Sequence, residues 1–234
     1  MNNTMKHTSL SLTTTVATAI GLLVAACPGR SNAAATLSLY DGVNPLITIV
    51  DNGPGDFAPQ VGALIVSTNV GVWNLAISTA LSKPLAGNST DPVMDLNIEA
   101  NSTAAGSLRA VFSDNGFGPA SGLLEAIITG HIVSGAAATE SYSVYGDPAN
   151  VVGATTVLIA STGTLPVGSG TASGVLSLGA PFSLTQVQQI VASGPTFFNT
   201  DASFQVVPEP SAIGLAALGL AALVLRRRNA RAAV

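Results

Sequence analysis

Hydrophobic and polar residues alternate over most of the middle of the chain. The pattern is strictest in Met94-Asp95-Leu96-Asn97-Ile98-Glu99, where Met94, Leu96 and Ile98 share one face of an extended strand. Similar runs occupy residues 36–40, 46–50, 63–67, 72–79, 107–112, 123–133, 141–145, 155–160, 174–178 and 196–207. Residues 182–192 fit two periods, since Leu184, Val187 and Val191 have helical spacing while Val187, Gln189 and Val191 alternate; we read them as a strand. Asp51-Asn52-Gly53-Pro54-Gly55-Asp56, Asp114-Asn115-Gly116 and Gly146-Asp147-Pro148 are turn formers between these runs. About ten strands without an amphipathic helix predict an all-β, two-sheet β-sandwich of jelly-roll or immunoglobulin-like type. The pattern does not give the strand order.

Two segments break the alternation. Residues 213–225 carry no polar side chain and, as a helix, would span roughly 20 Å. Ser211 and Ala212 extend the run, and arginine side chains reach headgroups, so 211–225 is expected to be one transmembrane helix. Arg226, Arg227, Arg228 and Arg231 follow as a basic stop over 226–234, which places the C-terminus in the cytoplasm and the rest of the chain outside. At the other end, Lys6, the apolar stretch 16–26 and Ala33-Ala34-Ala35 have the form of a secretory signal peptide over 1–35, cleaved after Ala33 or after Ala35. Val24-Ala25-Ala26-Cys27 also loosely resembles a bacterial lipobox with Cys27 as the lipidated residue, although Val24 and Pro28 depart from it.

Between the sandwich and the apolar tail stands Pro208-Glu209-Pro210. The prolines donate no backbone hydrogen bond and disfavour helical geometry in the residues before them, so 207–210 is expected to be extended and accessible. Tripeptide, apolar helix and arginine cluster, in that order at the C-terminus, resemble the PEP-CTERM sorting signal of Gram-negative bacteria. The resemblance covers residues 208–234 alone. It implies recognition of Pro208, Glu209 and Pro210 by exosortase, a membrane-embedded transpeptidase-like enzyme that cleaves near the tripeptide. Glu209 would be the recognition charge, and Arg226, Arg227 and Arg228 would fix the depth of the helix. It further implies an exported protein anchored in the inner membrane, then deposited at the cell surface or in the extracellular matrix with exopolysaccharide. The ectodomain, 36–207, looks like the β-rich domains often found before such tails, a likeness that transfers no activity.

Composition narrows the role of that ectodomain. Its eleven acids stand against Lys83 and Arg109, a formal charge of −9, which repels phosphate backbones and excludes nucleic acid as a partner. It has no cysteine, hence no disulfide, and one segment of about 170 residues is enough for a single core. Catalytic signals are sparse. His131 is its sole histidine, and no G-x-S-x-G elbow accompanies it. Asp91 with Asp95, or Asp51 with Asp56, are candidate carboxylate pairs. The Asp51–Asp56 turn and Asp114-Asn115-Gly116 offer oxygens to calcium, but neither has a calcium-loop spacing and both are turn formers first. We therefore expect no enzyme, no cofactor and no metal. Trp73 shares its alternation with Leu75 and Ile77 and reads as core, whereas Tyr142 or Tyr145, and Phe197 or Phe198, would present one exposed ring per pair. The sequons at Asn88 and Asn101 read as polar loops. A carbohydrate-binding or adhesion module is the alternative to a structural role; an exposed aromatic row would favour it, and a smooth Ser/Thr face would favour the structural one.

Overall fold

The computed structural model describes residues 35–208, and they form twelve strands and no helix. The strands are β1 (Thr36–Tyr40), β2 (Ile47–Val50), β3 (Ala63–Val70), β4 (Trp73–Leu81), β5 (Val93–Ser102), β6 (Gly106–Phe117), β7 (Ala120–Gly135), β8 (Ala138–Asp147), β9 (Val157–Pro166), β10 (Ser169–Leu178), β11 (Phe182–Ala192) and β12 (Thr196–Pro208). They build two six-stranded antiparallel sheets, ordered β2-β1-β6-β11-β8-β9 and β10-β7-β12-β5-β4-β3. From β5 onward the pairing is nested: β5 with β12, β6 with β11, β7 with β10 and β8 with β9, the first and third pairs in one sheet and the others in the second. This nesting is that of a jelly roll. The β1–β2 hairpin extends one sheet beside β6, and β3–β4 extend the other beside β5. The run 182–192 is strand throughout, because its partners β6 and β8 accept an extended chain along its whole length.

Alternation carries through into the layers. Met94, Leu96, Ile98 and Ala100 of β5 and Leu124, Ala126 and Ile128 of β7 are buried against Leu108, Ala110 and Phe112 of β6 and Leu184 and Ile190 of β11. Trp73 is in this core, its Nε1 donating to the Ser107 carbonyl at 2.8 Å and its ring edge-on to Phe198 at 5.7 Å. The register shifts between Leu75 and Ile77, so Ile77 pairs with Glu99 while Leu75 pairs with Ala100. A β-bulge thus interrupts the β4–β5 ladder just after Leu75.

A second bulge corrects the turn expected at Asp114-Asn115-Gly116. These residues lie inside β6, where Asn115 and Gly116 oppose the single residue Ser183 and Gly116 takes a φ of 70°, a conformation open to glycine. The bulge lets Asp114 point inward beneath residues 82–83. Ser82 donates to its Oδ2 at 2.6 Å, Lys83 Nζ lies 2.7 Å from the same oxygen, and the ammonium sits 4.1 Å from the centre of the Phe117 ring. The core also holds a polar seam between the sheets. Gln188 donates to Thr200 at 2.8 Å, Thr200 to Glu140 at 2.7 Å, and the Gly168 N–H to the other Glu140 oxygen at 2.8 Å. Beside it the Tyr142 hydroxyl donates to Gln186 Oε1 at 2.6 Å.

The registers also fix where the chain enters and leaves. Thr36 pairs with Ser113 near the end of β6, β6 passes to β7 through Gly118 and Pro119, and Pro208 pairs with Gly122 near the start of β7. Residue 35 and residue 208 therefore lie at the same end of the sandwich. Lys83→Ala would strand the Asp114 carboxylate, 1% exposed, without its cation. We expect a loss of about 3 kcal/mol in urea unfolding of the ectodomain, the cost typical of breaking a buried pair from one side.

Candidate functional site

Two regions of the surface bear on function: the root of the tail and the outer face of the sheet that carries it. β12 remains paired with β7 to its last residue, through Val206↔Leu124, Val207↔Leu123 and Pro208↔Gly122, whereas its pairing with β5 stops at Gln205↔Val93. Val206 is buried and Val207 half-exposed. Residues 207–208 are thus extended, as the prolines require, but pinned along one side rather than free. Glu209, Pro210, Arg226, Arg227 and Arg228 lie outside the described residues, as do Ala33 and Cys27 and the expected helix 211–225. Ala35 is described and is part of the core: it is 1% exposed, and its carbonyl accepts the Asp51 N–H at 2.9 Å.

On the outer face, the strand registers align side chains into rows that cross four strands. One row is Ser173–Glu125–Gln205–Val93, the next Thr171–Ile127–Ser203–Asp95. Shallow grooves run beside Glu125 and Ile127, one of about 350 Å³ toward Thr171 and Ser173 and one of about 180 Å³ toward Ser203 and Gln205. Two rows further on, Asn199 lies between His131 and Glu99. His131 is exposed and, among the described residues, no side-chain hydrogen bond reaches it.

The carboxylate pair is not one of those read from spacing. Asp95 lies diagonally across from Asp201 of β12, and it is pushed up to about 7 by burial first and by the Asp201 charge second. Asp201 was missed because only the β5–β12 register brings it there, with Asp201 opposite Asn97 and Asp95 opposite Ser203. The other acids hold loops. Asp51 accepts the Gly62 N–H at 2.8 Å, and Asp56 accepts the N–H groups of Asn52, Ala58 and Ile65 at 2.8, 2.9 and 3.0 Å. Burial raises Asp51 above the usual carboxylate range. Glu140, in the seam, is raised for the same reason, against the lowering effect of the Gly168 N–H. Among the described residues no three His, Cys, Asp or Glu side chains gather as a metal site.

Aromatic rings are mostly spent on the core. Trp73, Tyr142 and Phe198 are buried, while Tyr145 and Phe197, half-buried, belong to different sheets and form no row. The exposed positions of β10 are instead Ser169, Thr171, Ser173, Val175 and Ser177. Asn88 does lie in a loop, where it accepts the Thr90 and Asp91 N–H groups, but Asn101 sits in β5.

Residues 206–228 match the model of the PEP-CTERM protein-sorting motif. The tail is a PEP-CTERM sorting motif. It starts inside β12, two residues before the tripeptide, so sandwich and sorting motif overlap in sequence. A comparison with curated proteins gives no match. Among solved structures, TmCBM61 in complex with β-1,4-galactotriose is similar at 10% identity and a TM-score of 0.32, over 66% of this chain and 92% of that one. A structure from work on carbohydrate-binding modules of the β-sandwich superfamily aligns at 13% identity and a TM-score of 0.30, over 72% of each chain. The CBM22-1–GH10 modules of Clostridium thermocellum xylanase 10B with xylohexaose align at 12% identity and a TM-score of 0.26, over 63% of this chain and 28% of that one. At such scores none of them informs on ligand or activity.

Two outcomes follow from this geometry. Because the folded pKa of Asp95, about 7, stands above its ordinary 3.8, the folded domain holds that proton more tightly than the unfolded chain does. Its contribution therefore favours folding in acid and declines as pH rises between about 4 and 7. Asp201→Asn should flatten that decline in unfolding midpoints measured across the interval, and an unchanged pH slope would contradict the pairing. Removal of the signal peptide after Ala35 would delete a core side chain and the carbonyl that accepts the Asp51 N–H, whereas cleavage after Ala33 keeps both. Intact-mass analysis of the exported protein should show Ala34 as its first residue.

Proposed function

We propose that this chain is an exported bacterial protein of the cell surface or extracellular matrix, held in the inner membrane by its tail, 208–234, and processed there by exosortase. The observation that carries the reading is the sorting-motif match at 206–228, continuous with the last strand of the sandwich. In this reading Glu209 is the recognition charge, the apolar run 211–225 is the temporary anchor and Arg226, Arg227 and Arg228 stop transfer. The ectodomain plays a structural role alongside exopolysaccharide and catalyses no reaction. Support for a structural role comes from the hydroxyl-rich exposed positions of β10 and the scarcity of exposed rings, since saccharide platforms rely on aromatic faces.

A carbohydrate-binding or adhesion role is the second reading. The grooves beside Glu125 support it, because they line up hydroxyl, amide and carboxylate groups across four strands. If that reading holds, Glu125→Ala would lower retention of the ectodomain on the host's own exopolysaccharide.

The sorting reading has a direct test in the tail. Glu209→Ala in the native host should accumulate as the full-length membrane form, while the wild type is trimmed and released. Equal trimming of the two proteins, followed by immunoblotting of membrane and medium fractions, would remove Glu209 from the recognition step.

A further inference from the structure

The chain passes from sandwich to sorting signal without a spacer. The first residues of the matched motif, 206–208, are also the last residues of β12, and one of them, Val206, is part of the hydrophobic core. A processing enzyme must surround the backbone on either side of the bond it cuts, and a segment paired to a neighbouring strand offers only one side. Cleavage of a folded chain then draws on the population in which the segment has opened.

We propose that β7 gates the root of the sorting motif: exosortase acts on molecules in which residues 206–208 have left β7, and Gly122 sets how often they do. The proposal rests on the sorting reading above. Three observations support it. The end of β12 has lost its β5 partner beyond Gln205, so its release breaks pairing on one side only and costs far less than unfolding the domain. The side chain of Val206 is what opening must draw out of the core, at 6% exposure, whereas that of Val207 is already half in water. At Gly122 the two strands approach closely: a Cβ placed there would overlap the Val207 carbonyl oxygen and come within 3.1 Å of Val206 Cγ1. Glycine at 122 therefore lets the end of β12 close onto β7, and any larger residue shifts the balance toward the open form. With opening and closing fast, the trimming rate scales with the open fraction.

The test uses the whole chain in its native host. Gly122→Ala should convert from the full-length membrane form to the trimmed form several-fold faster than wild type in pulse-chase, and amide exchange should accelerate in residues 203–208 while the rest of β7 and β12 stays protected. The opposite change is a lock. Leu123→Cys with Val207→Cys places two thiols on paired residues whose side chains are 41% and 42% exposed, in a domain that has no other cysteine. Once oxidised or joined by a short thiol crosslinker, this variant should lose trimming, and reduction of the disulfide form should restore it. Trimming of the locked pair at the wild-type rate overturns the gate, as does faster exchange in Gly122→Ala without faster trimming. Should Gly122→Ala fail to fold, the cysteine pair decides alone. Glu209→Ala added to Gly122→Ala separates the two levels: a double variant that is still trimmed defeats the sorting reading, whereas a gate failure leaves the dependence on Glu209 intact.

Discussion

The ladder between β7 and β12 is the constraint on which the molecule depends. It runs the full length of β12 and places Phe198, Ala202, Phe204 and Val206 on the inner face of their sheet. Each phenylalanine fully buried there stabilises the fold by roughly 2 kcal/mol. The same ladder brings β5 alongside and so creates the Asp95–Asp201 pair, aligns the rows that border the grooves and holds the end of β12, where the sorting motif begins. With no disulfide available, nothing covalent shares this duty. A change in β7–β12 register by one residue would turn the core row outward and carry the tail with it.

The seam of Glu140, Thr200, Gln188 and Gln186 serves a different end. Apolar residues at these positions would fill the space with less desolvation, yet they would let the sheets slide past each other. A carboxylate that must meet both Thr200 and the Gly168 N–H allows one alignment. The seam is incompletely paired among the described residues, since Gln186 Nε2 and Gln188 Oε1 have no partner. Satisfied and unsatisfied groups side by side make this the part of the core with most to lose from a small shift.

Much of the fold was legible because alternation is a local signal. The strict row Met94, Leu96, Ile98 needed only its own residues, whereas the run 182–192, which fits two periods, became a strand through its partners β6 and β8. What stayed hidden depended on pairing. Asp114-Asn115-Gly116 has the chemistry of a turn and is a bulge only because Ser183 opposes it across β6 and β11. The register shift after Leu75 is likewise a property of the β4–β5 pairing. Asp201 has no sequence cue linking it to Asp95, and nothing in their own segments joins Glu140 and Gln188 to Thr200. The tail was the reverse case. Its order of tripeptide, apolar run and arginines is complete within itself, and the sequence lacked only the fact that the signal begins inside a strand.

Residues 35 and 208 share one end of the sandwich, and this sets a direction for the molecule. In the proposed pathway the leader and the tail attach the domain to the same side of the same bilayer, so a molecule bearing both is not stretched across anything and need not turn over when the first is removed. The opposite end carries the short connections at residues 71–72, 103–105 and 193–195 and, in that pathway, is the end farther from both attachments. In that pathway the far end and the flanks of the domain are the surfaces left for a partner beyond the cell.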